Sequence, residues 1–232
     1  MTIRTRARPL ALARDAGGLA GPVAGLMFTT AIAGAGRLAS DPFPAPGSAP
    51  ETIRTYYSGS ARAARFNAAC QALSLLAQAR YVAAMVRVAS RHPAHPRLLG
   101  GVVLVAGGAA VTALAASATA QASLTVPKER TDTEVLATTR RVFVSGGPVH
   151  GVANGVLTAA TAVAAHQKGL LGRTGEGLAL LSAAANLGTP AYFRWEPAGW
   201  LIPIGRFSGY LVSGVIGVRL ATRGNDDRQV QH

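Results

Sequence analysis

Long stretches without formal charge dominate the hydrophobic and polar pattern of this chain. The clearest lies between Arg97 and Lys128. It is longer than the roughly 20 apolar residues that a helix needs to cross a hydrocarbon core of about 30 Å. Because a helix satisfies its own backbone hydrogen bonds, it can cross lipid. The stretch therefore predicts a membrane-spanning helix with further helices packed beside it.

Five other stretches are mostly apolar, although two of them carry arginines, and together the six predict an all-α bundle of six transmembrane helices. The predicted spans are 16–36, 61–90, 98–127, 142–167, 177–193 and 200–220. Most loops are short, and 127–141 is expected to be a polar loop. The exception is the proline-rich loop 41–60, in which 51–57 could form a surface helix with Tyr56 and Tyr57 at the headgroup level.

The chain is expected to divide into three parts. A basic N-terminal segment covers 1–15, the six-helix transmembrane domain covers 16–222, and a polar tail covers 223–232. Four arginines precede the first span and Arg37 follows it, so the positive-inside rule places both termini in the cytoplasm. We therefore expect a multi-pass protein of the inner, or cytoplasmic, membrane.

The second predicted span is the weakest because it carries four arginines. At 100° per residue the arginines cluster on one side of the helix and four polar residues on the other. The arginines are Arg62, Arg65, Arg80 and Arg87, and the polar residues are Asn67, Gln71, Ser74 and Gln78. The helix either spans the bilayer with snorkelling arginines or lies along its surface. We prefer the span, because 66–79 has no charge.

The composition agrees with a membrane protein but leaves a soluble alternative open. The chain is 49% hydrophobic and 14% charged, whereas soluble domains are about 25% charged. The net charge of +13 would also suit a soluble, basic, helical nucleic-acid-binding protein. However, the arginines stand in short groups beside apolar stretches, which favours contact with anionic lipid headgroups. The expected partners are therefore membrane lipids, with a second copy or a membrane-complex subunit possible, and no nucleic acid.

Small residues recur at every fourth position on three of the predicted spans. These positions are Gly17, Gly21 and Gly25 on the first, Gly147, Gly151 and Gly155 on the fourth, and Gly205, Gly209, Ser213 and Gly217 on the sixth. Small side chains let helix backbones approach closely in lipid. The pattern predicts tight contacts within the bundle, although dimer faces are an alternative.

Polar residues on the predicted spans mark a candidate polar interior, because unpaired polar groups are costly in lipid. The candidate binding residues are His150, Asn154, Gln71, Gln78, Asn67, Asn186 and Arg206. The structural interpretation is a set of interhelical hydrogen bonds. The functional interpretation is a polar pocket around His150, since an ionisable residue inside a span suggests function. Arg206 could also pair with Glu196, or snorkel to the interface.

Catalytic and cofactor motifs are missing from the sequence. It has no nucleotide-binding loop, HExxH, GxSxG or CxxC motif, and Cys70 is its one cysteine. We therefore expect no cofactor, no metal and no recognisable catalytic residues. The leading hypothesis is a protein that binds or passes a small amphipathic molecule, or serves as a subunit of a membrane assembly. The alternative is a membrane-embedded enzyme with His150 as acid or base.

Three short motifs resemble an uncharacterised family of six-helix integral membrane proteins from high-GC bacteria, a domain of unknown function. The motifs are Asp41-Pro42-Phe43-Pro44 ahead of Tyr56-Tyr57 and Arg65, Gly146-Gly147-Pro148-Val149-His150, and Ile202-Pro203-Ile204-Gly205-Arg206-Phe207. The resemblance covers about 41–207. It implies the membrane class and places His150 and Arg206 in motif positions, and it implies no activity.

Overall fold

A computed structural model describes residues 16–222, and within that range the chain is helical with no strand. The α-helices are α1 (Ala20–Leu38), α2 (Pro50–Gly59), α3 (Ala61–Ala89), α4 (Pro96–Leu124), α5 (Asp132–Val144), α6 (His150–Gln167), α7 (Arg173–Leu187) and α8 (Leu201–Thr222). Short 3₁₀ helices cover Ala16–Leu19, Thr189–Phe193 and Glu196–Trp200. The predicted all-α class is confirmed. The basic segment 1–15 and the tail 223–232 lie outside the described residues.

Within residues 16–222, four helices are long and apolar enough to cross a membrane. They are Ala16–Leu38, Ala61–Ala89, Pro96–Leu124 and Glu196–Thr222. They match the first, second, third and sixth predicted spans. The fourth and fifth are less clear, because α6 carries several polar residues and α7 has only 15 residues. The count of six spans therefore remains a prediction.

Six of the described helices form a closed ring around the interior. In order around the ring they are α1, α3, α4, α6, α7 and α8, and α8 returns to α1. The described chain ends lie together, since Gly18 contacts Gly217 and Leu220. The largest apolar core fills this end of the bundle and includes Met85, Val103, Leu170 and Ile216. The larger of the two described apolar cores therefore lies where the described chain begins and ends.

The glycine-rich faces lie inside the bundle. A Cβ on Gly21 would stand 2.8 Å from the Ser213 carbonyl oxygen, and one on Gly217 would overlap the Gly18 backbone. Gly151 and Gly155 meet the α7 side of the ring in the same way, through Thr189 and Leu187 among others. These glycines allow α1 to approach α8 and α6 to approach α7 more closely than larger residues would.

The expected polar loop 127–141 is wrong over most of its length, because α5 begins at Asp132. Thr131 and Glu134 form a capping box: the Glu134 backbone N–H donates to the Thr131 hydroxyl, and the Glu134 carboxylate accepts from the Thr131 N–H. This reciprocal pairing satisfies two backbone donors that would otherwise be unpaired at a helix start. The capping box corresponds to the sequence pattern Thr-x-x-Glu. The loop was predicted instead because this segment carries charges of both signs.

The predicted short helix at 51–57 is present as α2, but its expected orientation is wrong. Tyr56 and Tyr57 are buried rather than placed at the headgroup level. Together with Ile53 they pack against Leu124 and Val135. Burial raises the pKa of both tyrosine hydroxyls, and the proximity of Tyr56 adds to the effect on Tyr57. The apolar face of α2 therefore anchors the helix to the bundle.

Candidate functional site

A large cavity, here called the distal cavity, occupies the end of the bundle opposite Ala16 and Thr222. Its volume is about 1150 Å³. Apolar side chains form much of its wall, among them Phe28, Ile32, Phe43, Leu114, Phe143 and Trp200. Its polar lining includes Asn67, Gln71, Ser117, Gln121 and Arg206, with Asp41 and Glu196 among the exposed residues. The distal cavity thus combines an apolar wall with a polar and charged patch.

The polypeptide between α5 and α6 shapes one side of this cavity. Ser145–Val149 is a π-helical segment that joins the two helices without a break. The segment contains Pro148, which lacks an N–H and would crowd the preceding turn of an α-helix. The His150 N–H donates to the carbonyls of Ser145 and Gly147, so it does not use the Gly146 carbonyl. That carbonyl is therefore available to a side chain.

Arg206, in the second turn of α8, uses this carbonyl. Its Nη2 donates to the Gly146 oxygen and to Nδ1 of His150, the latter over 3.0 Å. Its guanidinium carbon lies 4.6 Å from the centre of the Phe28 ring, a cation–π distance. The expected pairing of Arg206 with Glu196 is not among the ion pairs of the described residues. The alternative, snorkelling to the interface, stays a prediction. Arg206 is held against the distal cavity by α1, α6 and the π-helical segment.

His150 lies behind Arg206 and is only 2% exposed. An arginine can only donate hydrogen bonds, so Nδ1 of His150 must be the acceptor and the neutral imidazole carries its proton on Nε2. Nε2 is buried and has no partner among the described residues. Since His150 is not part of the cavity wall, the geometry makes it a support for Arg206 rather than a group that meets a ligand directly.

Amide side chains from α3 and α4 form the second polar patch in the distal cavity. The Gln71 Nε2 donates to Oε1 of Gln121 over 3.1 Å and to Oδ1 of Asn67 over 3.4 Å. The Gln71 Oε1 remains without a partner. Gln121 was missed in the sequence analysis, although it is the one amide residue between Arg97 and Lys128. An isolated amide in an apolar stretch is the signal that could have identified it.

Gln78 and Asn154 line a separate central cavity of about 30 Å³, below the distal cavity. Tyr81, Thr158, Thr161 and Tyr210 also line it. The Gln78 Oε1 is buried without a protein partner. A polar cavity of this size has room for an ordered water. Gln78 and Asn154 are therefore close to each other but are not part of the distal cavity.

Asn186 lies outside both cavities, where α7 meets α8. Its Nδ2 donates to the Ser182 carbonyl over 2.9 Å, and the Ser182 hydroxyl donates to the Gly205 carbonyl over 2.8 Å. A Cβ on Gly205 would overlap the Asn186 amide. Asn186 thus donates within α7 to Ser182, and Ser182 makes the interhelical bond to α8. This arrangement fits the structural interpretation of the predicted polar residues.

The fold and this site define a class of protein: an all-α bundle whose apolar helices are compatible with a membrane protein. Within residues 16–222, no group of three or more His, Cys, Asp or Glu side chains is arranged to hold a metal ion. Comparisons with protein-family models, curated proteins and solved structures find no match for the chain. The function is therefore inferred from the residues of the site.

Proposed function

We propose that this protein is a six-span protein of a bacterial cytoplasmic membrane that binds a small amphipathic molecule in the distal cavity. The observation that carries the proposal is the distal cavity itself, which has a volume of about 1150 Å³ and combines an apolar wall with a polar patch. Ligand pockets are typically about 300–1,000 Å³ and mostly apolar, with a few polar groups that orient the ligand. The likeness to the uncharacterised six-helix family belongs to the same proposal.

The outward surface of the bundle supports a membrane setting. Large apolar side chains are exposed along the long helices, including Leu26, Leu76, Val105, Leu180 and Leu211. Trp195 and Trp200 are 63% and 73% exposed near the mouth of the distal cavity, where they would suit an interfacial aromatic belt. The four arginines of α3 are exposed, and Ser74 and Gln78 on its opposite side are buried. A soluble nucleic-acid-binding protein would not need so much exposed apolar surface.

The packing below the distal cavity favours binding over passage. Below the central cavity lies the apolar core that contains Met85, Val88 and Ile216. A polar molecule has no route through this core unless α3, α6 and α8 separate. The structure is therefore that of a pocket with a closed floor, and transport would require a second conformation.

The enzyme alternative receives less support from the geometry. A general acid or base must reach the proton that it transfers, directly or through one water. His150 accepts from Arg206 with Nδ1, and its sealed Nε2 has no described partner. We therefore propose that His150 positions Arg206.

Native mass spectrometry of the full chain in a mild detergent tests ligand binding. The wild-type protein should retain a small amphipathic molecule, which extraction and chromatography would identify. Gly36→Trp should abolish retention, because Gly36 lines the distal cavity and a Cβ there meets nothing within 4 Å. The added indole can thus occupy the cavity without a forced clash.

Gly108→Trp is the matched control for this experiment. Gly108 is also helical, exposed and free of neighbours at its Cβ position, but it is not part of the cavity wall. This variant should retain the molecule as the wild type does. Equal retention by the wild type, Gly36→Trp and Gly108→Trp would show that the molecule binds elsewhere, and would overturn the proposal.

A further inference from the structure

Arg206 brings a positive charge to the distal cavity without a countercharge of its own. The groups that hold it are the Gly146 carbonyl, Nδ1 of His150 and the Phe28 ring, and all three are uncharged. No carboxylate in the described part of the chain forms an ion pair with it. A charge that is withdrawn from water without a counter-ion is costly. A ligand with a negative charge could therefore serve as the counter-ion of Arg206.

The two carboxylates in the cavity wall do not fill this role. Asp41 and Glu196 are both exposed, so water and salt screen their charges. Neither lies within ion-pair distance of Arg206. They mark the solvated part of the wall, whereas Arg206 is partly buried beside the π-helical segment.

The guanidinium has donors left for a ligand. Both described hydrogen bonds of Arg206 use Nη2. Its Nη1 and Nε donate to no described residue, and neither belongs to the buried atoms without a partner. Both atoms therefore keep some surface exposure, and Arg206 lines the distal cavity. A planar guanidinium matches the two oxygens of a carboxylate or a phosphate.

We propose that the distal cavity selects amphipathic molecules with an anionic head, and that Nη1 and Nε of Arg206 donate to the oxygens of that head. This inference rests on the proposed function and adds the chemical class of the ligand. The head lies at Arg206, and the apolar body lies along the wall that includes Ile32 and Trp200. His150 and Gly146 act as positioning groups because they fix the other side of the guanidinium.

Amphiphiles that share one chain and differ in head test the proposal. The full chain in neutral dodecyl maltoside is titrated with dodecanoate, dodecanol and dodecyltrimethylammonium, and bound amphiphile is counted by native mass spectrometry. The wild type should bind dodecanoate about 10-fold to 100-fold more tightly than dodecanol, the range for a charge-assisted hydrogen bond. Arg206→Gln should remove this preference, and Arg65→Gln, on the exposed side of α3, should keep it.

A measurement on the wild-type protein covers the case in which Arg206→Gln does not fold. Phenylglyoxal modifies accessible guanidinium groups, and peptide mapping locates them. Dodecanoate should protect Arg206 from modification and leave Arg65 reactive. Modification of Arg206 at an unchanged rate in the presence of bound dodecanoate would overturn the inference.

Two sources could provide the anionic head, and vesicles distinguish them. In vesicles of pure phosphatidylcholine, the wild type should bind dodecanoate as it does in detergent. If added phosphatidylglycerol competes with dodecanoate, the natural ligand class is a lipid headgroup. If it does not compete, the class is a free amphipathic anion. Both results support an anionic head at Arg206.

The failure of this inference is distinct from the failure of the proposed function. Equal dodecanoate binding by the wild type and Arg206→Gln would overturn the role of Arg206 while the cavity remained a binding site. If the wild type bound none of the three amphiphiles and its native mass spectrum showed no retained molecule, the proposed function would fall as well.

Discussion

Arg206 on α8 donates a hydrogen bond to Nδ1 of His150 on α6 across 3.0 Å. The two residues are 56 positions apart in the chain, and their contact joins the two helices beside the distal cavity. Because the guanidinium can only donate, this pair fixes the histidine tautomer as well as the arginine orientation. It is therefore the structural basis of the proposed anion site.

The first prediction concerns this hydrogen bond. His150→Ala should lower the free energy of unfolding by about 1 to 2 kcal/mol, because Arg206 loses an acceptor in a buried setting. His150→Asn should lose less, since its Oδ1 can stand near the position of Nδ1. Denaturant unfolding in detergent, followed by circular dichroism, measures the difference. Equal losses in the two variants would show that the imidazole contributes packing and no specific hydrogen bond.

The second prediction concerns the closest approach of α1 and α8. Gly217→Ala should destabilise the bundle by about 1 to 3 kcal/mol, because the new methyl group would overlap the Gly18 backbone. Gly214→Ala is the control on the same helix, where the nearest atom is 4.0 Å from the added Cβ. Its melting temperature should stay unchanged or rise. Equal melting temperatures for Gly217→Ala and Gly214→Ala would contradict the close approach of α1 and α8 at Gly217.

The third prediction concerns the side of the membrane on which the distal cavity opens. If the termini are cytoplasmic, the cavity faces the periplasm. Cys70, which is buried on α3, should resist a membrane-impermeant maleimide in intact cells. In a Cys70→Ala background, Gly36→Cys should react, because this position lines the cavity and is open. Reaction only from the cytoplasmic side of inverted vesicles would reverse the orientation.

The fourth prediction concerns the carboxylate of the capping box. Hydrogen bonds from the Thr131 N–H and hydroxyl lower the pKa of Glu134 below its ordinary value of 4.5. The stabilisation is complete above the pKa of the unfolded chain and is lost as the pH falls through the lower pKa of the folded protein. Thr131→Val removes the hydroxyl bond, so it should raise the pKa of Glu134 while the bond from the Thr131 N–H keeps it below 4.5.

Carbon-13 NMR of labelled glutamate in wild-type and Thr131→Val protein measures this pKa directly, with Glu134→Gln to assign the signal. A Glu134 titration that is identical in the wild type and Thr131→Val would contradict the role of the Thr131 hydroxyl. The stability of α5 should follow the same order, with the variant losing its N-terminal turn at a higher pH than the wild type.

The sequence was a good guide wherever a local pattern decides the outcome. The mostly apolar stretches predicted all-helical structure, and four of them correspond to helices of membrane-crossing length. The separation of arginines from amides on α3 predicted which side is exposed. Hydrophobic periodicity and the hydrogen bonds within a helix depend on residues that are close in the sequence. They can therefore be predicted without knowledge of distant contacts.

Predictions from residue patterns were wrong at two places, where a helix cap or tertiary packing determined the structure. The mixed charges near 127–141 suggested a loop, but the capping box starts a helix there. Tyr56 and Tyr57 suggested an interface, but the apolar face of α2 turns both tyrosines inward. In each case tertiary packing or a specific cap outweighed a residue preference.

By itself, the sequence determined that this chain is made of apolar helices and which residues are polar within them. Only the tertiary structure decided that Arg206 meets His150 and Gly146, that Gln121 joins Gln71 and Asn67, and that Asn186 stands apart. Helical periodicity states which side of one helix a residue occupies. It does not state which other helix that side will face, because the order of helices around the ring depends on packing between distant segments.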